Sequence, residues 1–208
     1  MVRGRLGRLV SREGLWRLAS IATLLLASTA RAHTGQGDTT SGFVAGFLHP
    51  VTGIDHLLAM LAVGMWGAQL GMPALWVLPV AFPMVMAVGG ALGILGVPLP
   101  AAEPAIVLSV LLLGAVIAFG RKPPLVLAAA LVAFFAIFHG YAHGRELPEA
   151  ASAIGFSAGF VLATGCIHLT GIGIGFVTKL PHGQALLRAG GAAIALAGVV
   201  LALRLGGA

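Results

Sequence analysis

The stretch FLHPVTGIDHLLAM, residues 47–60, sits inside an apolar segment yet carries His49, Asp55 and His56. Ionisable side chains at membrane depth are costly, and they mark a pathway or a site. Pro50 lacks a backbone N–H and Gly53 frees the chain, so the sequence predicts a helix that bends or partly unwinds here. On a straight helix His49 and His56, seven residues apart, share a face. A break would bring Asp55 round to join them and free carbonyls as further oxygen ligands. Three ionisable groups within eight residues exceed what packing between helices requires. Neutral imidazole with carboxylate suits borderline divalent metals such as Ni, Co, Zn and Cu. A metal ion crossing a membrane is the first expectation.

Composition agrees with a membrane setting. Hydrophobic residues form 59% of the 208-residue chain and charged residues 9%, against about 25% charged in soluble domains. The formal charge of +6 is concentrated at the start, in Arg3, Arg5, Arg8, Arg12 and Arg17. An apolar run from Leu18 to Ala27 follows, then the small-residue stretch Ser28-Thr29-Ala30-Arg31-Ala32. This is the plan of a secretory signal, and it predicts a signal peptide over 1–32 with cleavage before His33. The run is too short to span a bilayer as a helix. Removing it leaves six basic and five acidic residues, so the basic character carries no implication of nucleic-acid binding. A phosphate-binding GxxxxGK[ST] loop is absent from the sequence, and no nucleotide partner is expected. The single cysteine, Cys166, excludes a disulfide framework and a Cys-based zinc site; it reads as a packing residue.

Splitting the remainder at Pro, Gly and charged residues gives six apolar segments, at 43–69, 73–96, 104–119, 124–143, 150–177 and 185–205. The fold class expected is an all-α integral membrane protein: six transmembrane helices in one domain, 33–208, after a cleaved signal peptide. Arg121, Lys122, Lys179 and Arg188 then fall at the cytoplasmic side, as the positive-inside rule requires, with both ends of the mature chain outside. Arg204 is the one dissenter. Glycines recur at small-xxx-small spacing (Gly42/Gly46, Gly89/Gly93, Gly155/Gly159), which predicts close helix packing within the chain.

A second polar cluster closes the fourth segment in FFAIFHGYAHGRE, residues 134–146. His139 and His143 are i,i+4 and Glu146 follows three residues later, on one helical face. At about 1.5 Å per residue, His49 and His139 both fall roughly 9 Å below the outer surface, so they are expected to face each other across a helix interface. Asp55 and His56 lie deeper, and His168 in the fifth segment deeper still. His33, as a free N-terminus, offers an amine and an imidazole to one metal ion at the outer mouth. Met60 reads as a space-filling residue and His182 as a loop residue.

The motifs HPVTGIDHLLAMLAVGMW (His49–Trp66) and FHGYAHGRE (Phe138–Glu146) closely resemble the two signatures of the HupE/UreJ family, with no departure in either. The resemblance covers essentially the whole chain. It implies a secondary nickel or cobalt permease of the bacterial inner membrane, linked to hydrogenase or urease maturation. It carries His49, Asp55, His56, His139, His143 and Glu146 over as metal-path residues; His168 and His33 rest on their position alone. The H-x5-D-H spacing also resembles, with one extra residue, a motif of a separate family of nickel–cobalt permeases. On this reading the metal is cargo and no cofactor is permanently bound; Zn2+ fits less well than Ni2+ or Co2+. The partners are the divalent ion and membrane lipid, with the oligomeric state open. Two other readings stand beside it: an intramembrane metal-dependent hydrolase, and a metal sensor or accessory protein that transports nothing.

Overall fold

The six apolar segments fold as helices, but not all as uninterrupted spans. The structure is a computed structural model that describes residues 39–146 and 152–207. The predicted signal peptide and His33 lie outside the described residues. In chain order the helices are α1 (Thr39–Thr52), α2 (Ile54–Leu70), α3 (Ala74–Ile94), α4 (Ala102–Ala118), α5 (Leu125–Arg145), α6 (Ala153–Gly175) and α7 (Gly183–Gly206). A short 3-10 turn, Phe176–Lys179, continues α6. No strand occurs among the described residues.

Four helices have the length and apolarity to cross a bilayer: α3, α5, α6 with its 3-10 turn, and α7. The first apolar segment is instead a bent pair, with α1 and α2 meeting at 82°. The break falls at Gly53, which is extended (φ −93°, ψ 110°) and caps α2. A Cβ there would crowd the Asp55 carboxylate and the His56 ring, each 3.1 Å away. The third segment, α4, has only 17 residues, short of the roughly 20 that a straight crossing needs.

Helix α2 occupies the centre. Ala59, Met60, Ala62, Val63 and Trp66 on it are fully buried, because α3, α4, α6 and α7 all pack against it. The most extensive pairings are α3 with α5, α4 with α7, and α1 and α2 with successive parts of α6. Glycine decides how close these come. A Cβ on Gly89 would strike the Ile137 backbone, and one on Gly140 the Met86 backbone. Gly46 and Gly159 hold α1 and α6 together in the same way, against Phe156 and Phe43. Lipid gives helices little hydrophobic reason to associate, so such close backbone contact supplies the packing. The predicted intramolecular role of Gly42/Gly46 and Gly89/Gly93 is therefore what the structure shows.

The two ends of the bundle differ in charge. At one end α4 finishes, and carbonyls of its last turn and of the loop that follows accept from side chains. Gln69 Nε2 donates to the Ile117 carbonyl at 3.1 Å, Arg188 Nε to Ala118 at 2.7 Å, and Trp66 Nε1 to Arg121 at 3.3 Å. Arg121, Lys122, Lys179 and Arg188 gather there without an acidic residue among the described ones. At the other end, where α4 starts and α5 and α7 finish, Glu103 and Glu146 accompany Arg145 and Arg204. Between the ends lies an apolar exterior that includes Val80, Met84, Val126, Phe134 and Leu196, all more than half exposed. A surface of that kind belongs in lipid rather than water. The chain is a multi-pass helical membrane protein.

Candidate metal centre

One break in regular helix brings the two polar clusters into one site. The bend at Gly53 turns α1 away from the axis of α2, and His49 therefore leaves the face that carries His56. His49 instead reaches the last turn of α5. Its Nε2 lies 3.1 Å from Glu146 Oε2, and its ring meets that of His143 edge-on, with centroids 4.9 Å apart. Glu146 Oε2 is also 3.8 Å from His143 Nδ1. One ligand atom from each of His49, His143 and Glu146 fits within 4.8 Å of the other two. The Glu146 carboxyl, at the end of α5, is held below the usual glutamate range, chiefly by its hydrogen bond with His49 and against the opposing effect of partial burial. An anionic oxygen and two imidazoles in mutual reach form a donor set suited to a borderline divalent ion.

From this trio a file of rings leads inward. His143 contacts His56 at 4.2 Å between centroids, and His56 contacts His139 at 4.7 Å with the rings nearly perpendicular. The Phe82 ring follows, 5.5 Å from His139 and 5.5 Å from His168. Phe156 and Phe160 border the other side, Phe160 lying 4.5 Å from His143. His56, His139, His143 and His168 are all buried. His56 Nε2, His139 Nδ1, both nitrogens of His143 and His168 Nε2 have no hydrogen-bond partner. An unpaired buried polar atom costs about 1–3 kcal/mol, so five such nitrogens in one file exceed what a purely structural core tolerates.

Asp55 holds a different place from the others. Its Oδ1 accepts from the His56 backbone N–H at 2.8 Å and from His56 Nδ1 at 2.8 Å. A carboxylate only accepts, so Nδ1 carries the proton and His56 Nε2 keeps a free lone pair. Carboxylate–imidazole pairs of this form orient metal-binding histidines. Asp55 also faces the open side, where a cavity of about 630 Å³ runs from Glu103, Glu146 and Arg204 down to Asp55 and His56. That cavity gives the buried rings an aqueous approach from one end of the bundle.

The pairing differs from the one expected from helical depth. His49 faces His143 and Glu146, while His139 faces His56; the two are joined only through the intervening rings. The reason is the bend, since a depth count assumes a straight first helix. His168 joins the file beyond Phe82, and its backbone partner is Pro79. That carbonyl is free because Pro83, four residues on, has no N–H to offer it. Sequence reasoning missed Ser109 and Phe82. Ser109 is the only hydroxyl-bearing residue of α4, a signal that was available; Phe82 is one apolar residue among many.

The HupE / UreJ protein family model matches residues 21–201. The chain is 47% identical over 182 residues to the protein HupE of Rhizobium leguminosarum bv. viciae, a match covering 88% of this chain and 94% of that one. No solved structure matches the chain.

Proposed function

The chain belongs to the HupE/UreJ family, and from that premise we propose that it is a permease carrying Ni2+ or Co2+ from periplasm to cytoplasm. The observation that carries this reading is the continuity of the donors. His49, His143 and Glu146 stand at the open end, and buried imidazoles with free nitrogens continue from them to His168. A resident metal would need one set of ligands converging on a single point, whereas cargo needs several that share and release it.

In this account the bent α1–α2 pair and α4 count as crossings, giving six. The end rich in Arg121, Lys122, Lys179 and Arg188 faces the cytoplasm by the positive-inside rule. The signal peptide is cleaved, and the mature N- and C-termini lie in the periplasm of an inner-membrane protein. His33, if it begins the mature chain, adds an amine and an imidazole near the outer mouth. An arriving ion sheds part of its water in the cavity and takes the place of the hydrogen bond between His49 and Glu146, any proton it displaces passing to the water of the cavity. It then passes from His143 to His56 and His139. A membrane potential of 100 mV supplies about 4.6 kcal/mol to a divalent ion, enough for roughly thousandfold accumulation. No ATPase is required. A supply of nickel for hydrogenase or urease maturation is the role such a permease serves.

Purified protein in sealed vesicles tests this directly. Radiolabelled Ni2+ or Co2+ is expected to accumulate when an inside-negative potassium diffusion potential is imposed, and to leak out when the potential is collapsed. Vesicles with correctly inserted protein that take up no more metal than empty ones contradict it.

A further inference from the structure

Ser109 lies outside both sequence motifs, in the middle of α4, and its side chain is completely buried. Its Oγ makes two contacts. It donates to the Ile106 carbonyl of its own helix at 2.6 Å, and it lies 2.8 Å from His139 Nε2 on α5. A hydroxyl has one proton. Serine in a helix commonly gives that proton to a carbonyl one turn back, as the short distance to Ile106 shows here. Towards His139 the hydroxyl is then left with lone pairs only.

We infer that Ser109 is a positioning residue that fixes His139 in its Nε2–H tautomer, leaving Nδ1 as the one nitrogen able to take a metal ion. The neutral ring has one donor and one acceptor nitrogen. With Nε2–H donating to Ser109, the lone pair sits on Nδ1, which has no partner and belongs to a ring facing His56 at 4.7 Å. The opposite tautomer would bury an N–H at Nδ1 with nothing to accept it, and would make Ser109 give up Ile106. That alternative loses a hydrogen bond at atoms that are themselves buried.

The arrangement mirrors that of His56. There the Asp55 carboxylate accepts from Nδ1–H and leaves Nε2 free; here the Ser109 hydroxyl accepts from Nε2–H and leaves Nδ1 free. Two facing rings, each locked by an acceptor from a different element, thus carry one unpartnered nitrogen apiece. A neutral hydroxyl on one side and a carboxylate on the other also keep the pair from accumulating negative charge. A station with a single carboxylate binds a divalent ion less tightly than a two-carboxylate cage and releases it onward more readily. This inference rests on the transport reading for its consequence, but the tautomer itself does not.

Nitrogen-15 spectra of histidine-labelled protein, purified without metal, read the tautomer, with His139 assigned by its loss in His139→Gln. The expected result is a protonated Nε2 and an unprotonated Nδ1. In Ser109→Ala the signal should shift towards a mixture of tautomers. The metal concentration for half-maximal uptake should rise about tenfold, at the lower end of what loss of an outer-shell partner costs, with maximal rate changing less. Ser109→Thr keeps the hydroxyl and should restore both readouts. A protonated Nδ1 in the wild-type protein overturns the inference, as does a Ser109→Ala variant with tautomer and half-maximal concentration both unchanged. A wild-type protein with the expected tautomer that moves no metal supports the assignment of Ser109 and contradicts the transport reading instead.

Discussion

Metal uptake by His143→Ala is expected to fall at least about 100-fold, with the protein inserted normally and no less stable than the wild type. His143 is the junction of the site. It shares Glu146 with His49 and its ring touches those of both His49 and His56. Among the described residues, His143 is the one member of the open trio whose ring contacts the inner pair. Losing an outer-shell partner alone costs 10–100-fold in metal affinity, and removal of a direct ligand at the junction exceeds that. The stability half of the prediction separates function from packing. Both imidazole nitrogens of His143 are buried without partners, so alanine removes two unsatisfied polar atoms. Residues retained for function at the expense of stability behave in this way. Uptake at matched protein levels and the thermal midpoint of the purified variants check the two halves. A destabilised His143→Ala with normal uptake would mark the residue as structural.

The second large effect belongs to a residue with no polar chemistry. Gly140→Val is expected to lower stability by about 3 kcal/mol or more, since inserting bulk into a filled interface costs 1–3 kcal/mol even where side chains can yield. Here nothing yields, because a Cβ on Gly140 meets the backbone of Met86 and Gly90 on α3. For a chain of this size that corresponds to a fall of roughly 10 °C in Tm. Uptake should disappear as well, since Gly140 follows His139 and separating α3 from α5 displaces both His139 and His143. Gly173→Ala provides the comparison. No atom lies within 4 Å of a Cβ there, so the change should be neutral or stabilise the helix by up to about 1 kcal/mol. Thermal unfolding in detergent, followed by circular dichroism, distinguishes the two.

That contrast shows where sequence reading stops. Gly140, Gly171 and Gly173 look alike in the chain, yet Gly140 and Gly171 touch neighbouring backbones while Gly173 faces open space. Only the rotation of each helix about its axis decides which is which, and apolar segments this uniform carry little signal for it. The break was legible because Pro50 and Gly53 are local in their effect. Its 82° angle was not, and the partners of His49 depend on that angle: Glu146 is 97 residues away in sequence. The six segments were legible from hydrophobicity, but α4 proves shorter than a regular span. Gln69 of α2 and Arg188 of α7 donate to its last two carbonyls, Ile117 and Ala118, and so hold its short end. The ionisable residues of the site stood out as costly exceptions in apolar surroundings. Ser109 and Phe82 did not, since neither is costly in such a segment.

Anomalous scattering at the cobalt edge from crystals of the protein loaded with Co2+ shows which side chains hold the ion. The expected peak is bonded to His49, His143 and Glu146, at about 2.0–2.2 Å from nitrogen or oxygen as in comparable sites. Further density between His56 and His139 is expected at higher loading. A strongest peak remote from all five side chains, with these imidazoles unmetallated at saturating cobalt, would contradict that assignment.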